Sequence, residues 1–349
     1  MRVLIPSLRG GSGIATYTIK LAKGLAAAGH EAIVLDEDDR FESPPAGVTV
    51  LALQAPPKLP YPFEPAAEWA RLGTIRRLAR EHEVDGVHAT RLGFVPLRER
   101  RAVITVWDPI ASPIGRFRAA RPRGEDRSME AVYGLVDGVA AVRAGAVVAV
   151  TPAVREGYRR FGRCEYIPPF LDDAEIAPAR PGRSKDVVLV AGHLDLARKG
   201  LDLAIEAIAL VRESVPEARL LLVGGWVDES RAESLPAFCE AVGKMTPAEV
   251  TETFATAGCA LIPSLWEEFG YSGLEALAAG TPVATSPLPG YQSLSGGGAF
   301  AAAERTPGAM AAAITSALGT GAFEFPAECR ASNAIPRILA LYDEVFSGG

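Results

Sequence analysis

Short apolar runs without a polar partner at every second position punctuate this chain: Val3-Leu4-Ile5, Ala32-Ile33-Val34-Leu35, Ala102 to Val106, Val147 to Val150, Val187 to Ala191, Leu220 to Val223 and Cys259 to Ile262. Runs of this kind predict parallel strands covered on both faces. Between them lie stretches with helical spacing. Ile19, Ala22, Leu25 and Ala26 share one face of a helix over about Ile14–Ala28. Further helices are predicted over Glu68–Glu81, Leu201–Glu213 and Ile335–Phe346. Strand and helix thus alternate, the signature of α/β domains with parallel sheets.

A chain of 349 residues can form two such domains. Val147–Thr151 reads as the last strand of the first, and Ala177–Asp186, with Pro178 and Pro181, as the link between them. The expected division is 1–171 and 172–334. Prolines crowd residues 43–65, which reads as irregular connection around a short strand at Val48–Leu53.

Charge narrows the range of functions. A net charge of −6 argues against nucleic acid as a partner. Cys164, Cys239, Cys259 and Cys329 are scattered, never as Cys-x-x-Cys, so neither a zinc site nor a disulfide framework is expected, and a reducing cytoplasm fits. Met1–Pro6 is too short an apolar run for a signal peptide, and no window approaches the roughly 20 apolar residues of a membrane span. Between Arg98 and Arg127 eight arginines stand against four acids. They are either a solvated loop or a patch for an anionic acceptor or membrane surface.

Candidate chemistry starts with the glycine-rich loop Leu8–Gly13, which lies between a strand and a helix, where phosphate can sit. Asp36 ends the next strand like a ribose-binding acid, but Gly11-x-Gly13-x-x-Thr16 lacks the third small residue of a dinucleotide fingerprint, which weighs against NAD.

The densest stretch is Ser264-Leu-Trp-Glu-Glu-Phe-Gly-Tyr-Ser-Gly-Leu-Glu-Ala-Leu-Ala-Ala-Gly-Thr-Pro282. After the strand ending at Pro263 it predicts a loop with Glu267, Phe269 and Gly270, a helix over about Ser272–Ala279, and a C-cap at Gly280. Glu275 falls in the first turn of that helix on this reading, seven residues after Glu267. Two carboxylates beside a helix N-terminus suit a polyhydroxylated ligand that carries phosphate. Taken alone, Glu275 could equally just complement the helix dipole.

The whole string resembles the Glu-x7-Glu signature, with its trailing Glu-Ala-x-Ala-x-Gly-x-Pro-Val segment, of retaining nucleotide-sugar glycosyltransferases of family 4. The resemblance implies the GT-B fold: two Rossmann-like, doubly wound parallel-sheet domains facing across a cleft, with the final helix (about 335–346) packing back on the first domain. It implies a cytoplasmic, metal-independent transferase without a cofactor, compatible with peripheral contact at the inner membrane face. The partners are then a nucleotide sugar and an unidentified acceptor.

Donor-site residues implied by the match are Gly13, His193, Arg198, Lys199, Glu267, Phe269, Gly270, Tyr271, Ser272 and Glu275. Glu267 and Lys199 carry the catalytic roles, with Lys199 on the diphosphate and Glu267 on sugar hydroxyls. Ser12, His88, Trp107 and Asp108 match positions near the acceptor or the transferred sugar. Two positions depart from the pattern. His193 stands where the family carries an arginine, and Trp107 where it carries a histidine. Trp107 either stacks on a sugar or fills space, and His88 is either functional or a hydrogen-bonded core histidine. A catalytically silent subunit that binds a nucleotide sugar or a partner is the alternative to an active enzyme.

Overall fold

The computed structural model describes residues 1–6, 13–36, 41, 43–53, 72–90, 101–107, 139–178, 182–267 and 269–347. These residues form two compact units, Met1–Phe170 with Ala331–Gly349, and Leu171–Arg330.

The first unit is built on seven parallel strands: β1 (Arg2–Pro6), β2 (Glu31–Asp36), β3 (Val48–Ala52), β4 (Gly86–Ala89), β5 (Ala102–Val106), β6 (Ala146–Ala149) and β7 (Cys164–Tyr166). Their order is β3-β2-β1-β4-β5-β6-β7. Register is set by pairs such as Leu4 with Ile33 and Leu4 with Val87. Val3, Leu4 and Ile5 have no exposed surface, as expected of a strand covered on both faces. Among the described residues up to Phe170, its helices are α1 (Gly13–Ala27), α2 (Leu72–Glu81) and α3 (Pro152–Tyr158), the last capped by the Thr151 hydroxyl, which accepts from the Val154 amide.

The second unit carries six parallel strands, β8 (Asp186–His193), β9 (Arg219–Gly225), β10 (Cys239–Gly243), β11 (Cys259–Ile262), β12 (Val283–Thr285) and β13 (Ala299–Ala301), in the order β10-β9-β8-β11-β12-β13. Helices α4 (Leu201–Val211), α5 (Ser230–Glu233), α6 (Pro247–Thr256), α7 (Tyr271–Ala278), α8 (Pro289–Gln292) and α9 (Pro307–Gly319) connect them. Leu201, Ala204, Ile208, Leu220, Leu222, Met310 and Ile314 meet in one core, which joins α4 and α9 to the sheet. Strand order reverses between β8 and β11, and in open parallel sheets the crevice beyond the strand ends at such a switch point holds ligands.

The last helix, α10 (Ala331–Phe346), belongs to the first unit. Glycines let it approach closely. A Cβ on Gly86 would lie 2.3 Å from the Phe346 ring, and one on Gly24 would lie 2.4 Å from Ile335. It starts at Ala331, four residues before the predicted Ile335, and runs through Pro336, which removes only one backbone donor.

Two further differences from the sequence reading have physical causes. Val147–Thr151 is not the last strand of its unit, because β7 pairs beside β6 at the sheet edge. Its three residues, Cys164-Glu165-Tyr166, are too few to show a pattern. Glu275 is the fifth residue of α7 and so lies in its second turn: Gly270 caps that helix with φ 91°, and the helix starts one residue earlier than predicted. Gly280 does take the left-handed conformation, φ 80°. The Thr281 amide donates to the Ala276 carbonyl and the Gly280 amide to that of Leu277, a Schellman ending. No helix among the described residues is long and apolar enough to cross a membrane.

Candidate functional site

Two loops meet above the switch point of the second unit. The loop after β8 carries Arg198 and Lys199, and the loop after β11 carries Ser264 and Glu267. Backbone contacts fasten one to the other. The Leu265 amide donates to the Arg198 carbonyl at 2.8 Å, and a Cβ on Gly200 would sit 2.2 Å from the Pro263 carbonyl oxygen. Gly200 also has φ 75°, so both its conformation and its neighbour require glycine.

Glu267 is the hub. Its Oε1 accepts from Lys199 Nζ at 2.5 Å and from the Ser264 hydroxyl at 2.8 Å, with an Arg198 guanidinium nitrogen 3.8 Å away. The Lys199 and Glu267 side chains are 18% and 14% exposed, enough desolvation for the pair to matter and enough access for a ligand. An ammonium has three donors, so Lys199 keeps capacity for an anion beside Glu267.

The next turn of chain is held from below. Phe269 is buried, with its ring 5.5 Å from that of Tyr291 and packed over Gly290. Phe269 is thus a wedge under the loop, and only its backbone is on offer to a ligand. The Tyr291 hydroxyl donates to the Gly270 carbonyl and occupies the space a Cβ on Gly273 would need. Burial, and then the Glu267 charge, raise the Tyr291 pKa well above the usual phenol range, so the donor is retained. Gly270 gives α7 no side-chain cap, which leaves the amides of Tyr271 and Ser272 at its N-terminus. Glu275, one turn further on, is partly buried.

His193 ends β8 exposed, beyond a register shift that pairs it with Gly225. Asp195 accepts the amides of Val227 and Asp228, both at 2.8 Å, and ties down the loop after β9. The Val227 amide is the main reason its carboxyl titrates below the usual range.

The first-unit candidates fall elsewhere. Gly13 is the first residue of α1. His88, matched to a position near the acceptor, has no exposed surface. Its Nδ1 lies 2.5 Å from the Tyr342 hydroxyl and its Nε2 2.8 Å from that of Thr105, which in turn meets the Tyr17 hydroxyl at 3.1 Å. His88 is therefore a core histidine, and burial pushes its pKa down to about 3. Trp107 is 6% exposed, packs edge-on to Tyr17 and donates Nε1–H to the Thr90 carbonyl at 2.9 Å. Of its two readings, this geometry is space filling. Ser12, Asp108 and seven of the eight arginines between 98 and 127 lie outside the described residues; Arg101 is the exception. Among the described residues no three His, Cys, Asp or Glu side chains are grouped to hold a metal ion.

Ser264 and Tyr291 had no role in the sequence reading. The signal for Tyr291 was the pair Gly270-x-x-Gly273, two missing side chains that leave a slot for a ring.

Two family models match successive parts of the chain. The family described as Glycosyltransferase Family 4 matches residues 11–175, and that described as Glycosyl transferases group 1 matches residues 185–320. Glycogen synthase of Mycobacterium tuberculosis is 31% identical over 175 residues, 48% of this chain and 41% of that protein. Phosphatidyl-myo-inositol mannosyltransferase of Mycobacterium leprae is 31% identical over 128 residues, 35% of this chain and 34% of that protein. The chain thus matches less than half the length of these relatives. Sucrose-phosphate synthase from Thermosynechococcus elongatus superposes with a TM-score of 0.70 at 20% identity, covering 99% of this chain and 96% of that one. Anabaena HepE, solved in complex with UDP and glucose, gives 0.64 at 18%, covering 99% and 95%. At these identities the superpositions speak for the GT-B fold alone.

Proposed function

This chain belongs to the group 1, family 4 glycosyltransferases, and on that premise we propose that it transfers a sugar from a nucleotide sugar to an acceptor with retention of anomeric configuration. The observation that carries the reading is the convergence of Arg198, Lys199 and Glu267 on two fastened loops at the switch point.

Lys199 and Arg198 hold the diphosphate of the donor. Charge on that group grows as the sugar–phosphate bond breaks, so a cation already in place favours the transition state over the ground state. Glu267 orients Lys199 and accepts from sugar hydroxyls, and Glu275 accepts from those of the ribose. The departing phosphate takes the acceptor proton, so no protein nucleophile is required. The reaction needs no metal and no cofactor.

The test is a screen of UDP-, GDP- and ADP-sugars by thermal stabilisation, followed by NMR of the product. One nucleotide class should stabilise the protein, by about 2.7 kcal/mol at ~100 times its dissociation constant. Turnover should survive saturating EDTA and the product should keep the donor's anomeric configuration. An inverted product would overturn retention, and no stabilisation by any donor would overturn the donor site. The silent-subunit reading requires stabilisation with no product at all.

A further inference from the structure

Arg305 stands in the segment between β13 and α9, and one of its terminal guanidinium nitrogens lies 3.1 Å from the point a Cβ on Gly200 would occupy. It thus rests against the backbone of the turn that presents Lys199. Unlike the other charged groups of this region, it has no hydrogen bond or ion pair with any described residue, and its Nε is buried without a partner. Its neighbour Glu304 is turned away and accepts the Thr306 hydroxyl at 3.3 Å.

An arginine so placed is unfavourable within the protein alone. Burying a guanidinium nitrogen without an acceptor costs free energy, and burial here also lowers the pKa of the group, although arginine stays charged. Arg198 and Lys199 belong to the turn that Arg305 rests against, and α4 presents its N-terminus at Gly200 without a side-chain cap. Asp202, the acid in the first turn of α4, is engaged by Arg231. Among the described residues, Glu267 is the one carboxylate paired with this group of cations. Among the described residues, no carboxylate is paired with Arg305.

We propose that Arg305 is a further phosphate-binding residue of the donor site, approaching over Gly200 from the α9 side. This rests on the donor reading above and deepens it. A planar guanidinium meets two phosphate oxygens with a rigid fork of parallel N–H donors, a geometry that an ammonium does not preset. With Lys199 on one phosphoryl group and Arg305 on the other, the site selects nucleoside diphosphate sugars over nucleoside monophosphate sugars, whose single phosphate leaves one cation unanswered.

The experiment is calorimetry of inorganic pyrophosphate, UDP, GDP and ADP, with the matching monophosphates, on wild type, Arg305→Gln and Arg305→Lys, together with each variant's melting temperature. Arg305→Gln should bind the diphosphate probes on the order of 10-fold more weakly, with a smaller loss for the monophosphate. Arg305→Lys should fall between it and wild type. Neither variant should melt below wild type, because Arg305→Gln removes the unpaired charge and both changes remove the buried Nε that has no partner. That outcome separates ligand binding from a role in holding the loops. Equal diphosphate affinity in all three proteins, or a lowered melting temperature with unchanged affinity, overturns the role of Arg305 and leaves the donor site standing. Failure of wild type to bind any of the probes overturns both.

Discussion

Both units wind a parallel sheet in the same sense, and the fourth strand to be wound lies beside the first in each: β4 beside β1, and β11 beside β8. The polar residues at the ends of those strands differ. In the first unit His88, Thr90, Thr105 and Trp107 are buried, and the partners they have are each other, Tyr17, Thr18, Tyr342 and main-chain carbonyls. In the second unit Ser264, Glu267, Lys199 and Arg198 converge on one carboxylate oxygen that keeps some access to solvent. A closed network of hydrogen bonds makes a rigid and specific core, whereas an open one with surplus donors can exchange partners with a ligand. The same winding thus supports a closed polar end in one unit and an open one in the other.

Three substitutions probe that contrast, beginning with the largest effect. Lys199→Ala should lower kcat/KM by about 10²–10³, or about 2.7–4 kcal/mol, while ground-state nucleotide binding weakens less. Steady-state kinetics beside calorimetry gives both numbers, and equal losses in the two would remove the transition-state role of Lys199.

His88→Gln belongs to the closed network and should act on stability instead, by roughly 2–3 kcal/mol as two buried hydroxyls lose good partners. The folded imidazole has its pKa pushed down from 6.5 to about 3, and the unfolded chain binds a proton first as pH falls. The contribution of His88 is therefore complete above pH 6.5 and is lost as pH falls toward 3. Urea unfolding across that window should show the wild-type stability gradient exceeding that of the variant by up to about 1.4 kcal/mol per pH unit. Parallel gradients would mean that His88 is not held neutral.

Trp107→Phe is the mildest change. It removes the bond to the Thr90 carbonyl and part of the ring contact with Tyr17, for about 1 kcal/mol, and should leave KM for any sugar unchanged. A raised KM would return Trp107 to the ligand.

What the sequence discloses follows the same division. Strands β1, β8 and β11 were legible because burial on both faces demands unbroken apolar runs, and Gly280 because a left-handed helix end favours glycine. Edge strands β7 and β13, three residues each, carry too little pattern to be read. The grouping of Arg198, Lys199 and Glu267 was reached through a motif match, since nothing in spacing alone brings residue 199 to residue 267. The enclosure of His88 was not legible. Its partners Thr105 and Tyr342 are 17 and 254 residues away, and a histidine in a strand covered on both faces looks the same whether it is enclosed or open. Arg305 was overlooked because an arginine just before a Thr-Pro helix start reads as surface, and its missing partners are a property of three dimensions.

For protein engineering, the bond from the Leu265 amide to the Arg198 carbonyl, with Gly200 seated on Pro263, defines the smallest portable piece of this site. A chimera that exchanges only one of the two loops would bring a mismatched backbone against the other and misplace Lys199 or Glu267 even with both residues kept. Segments 196–200 and 263–267 should therefore be exchanged together, as one cassette.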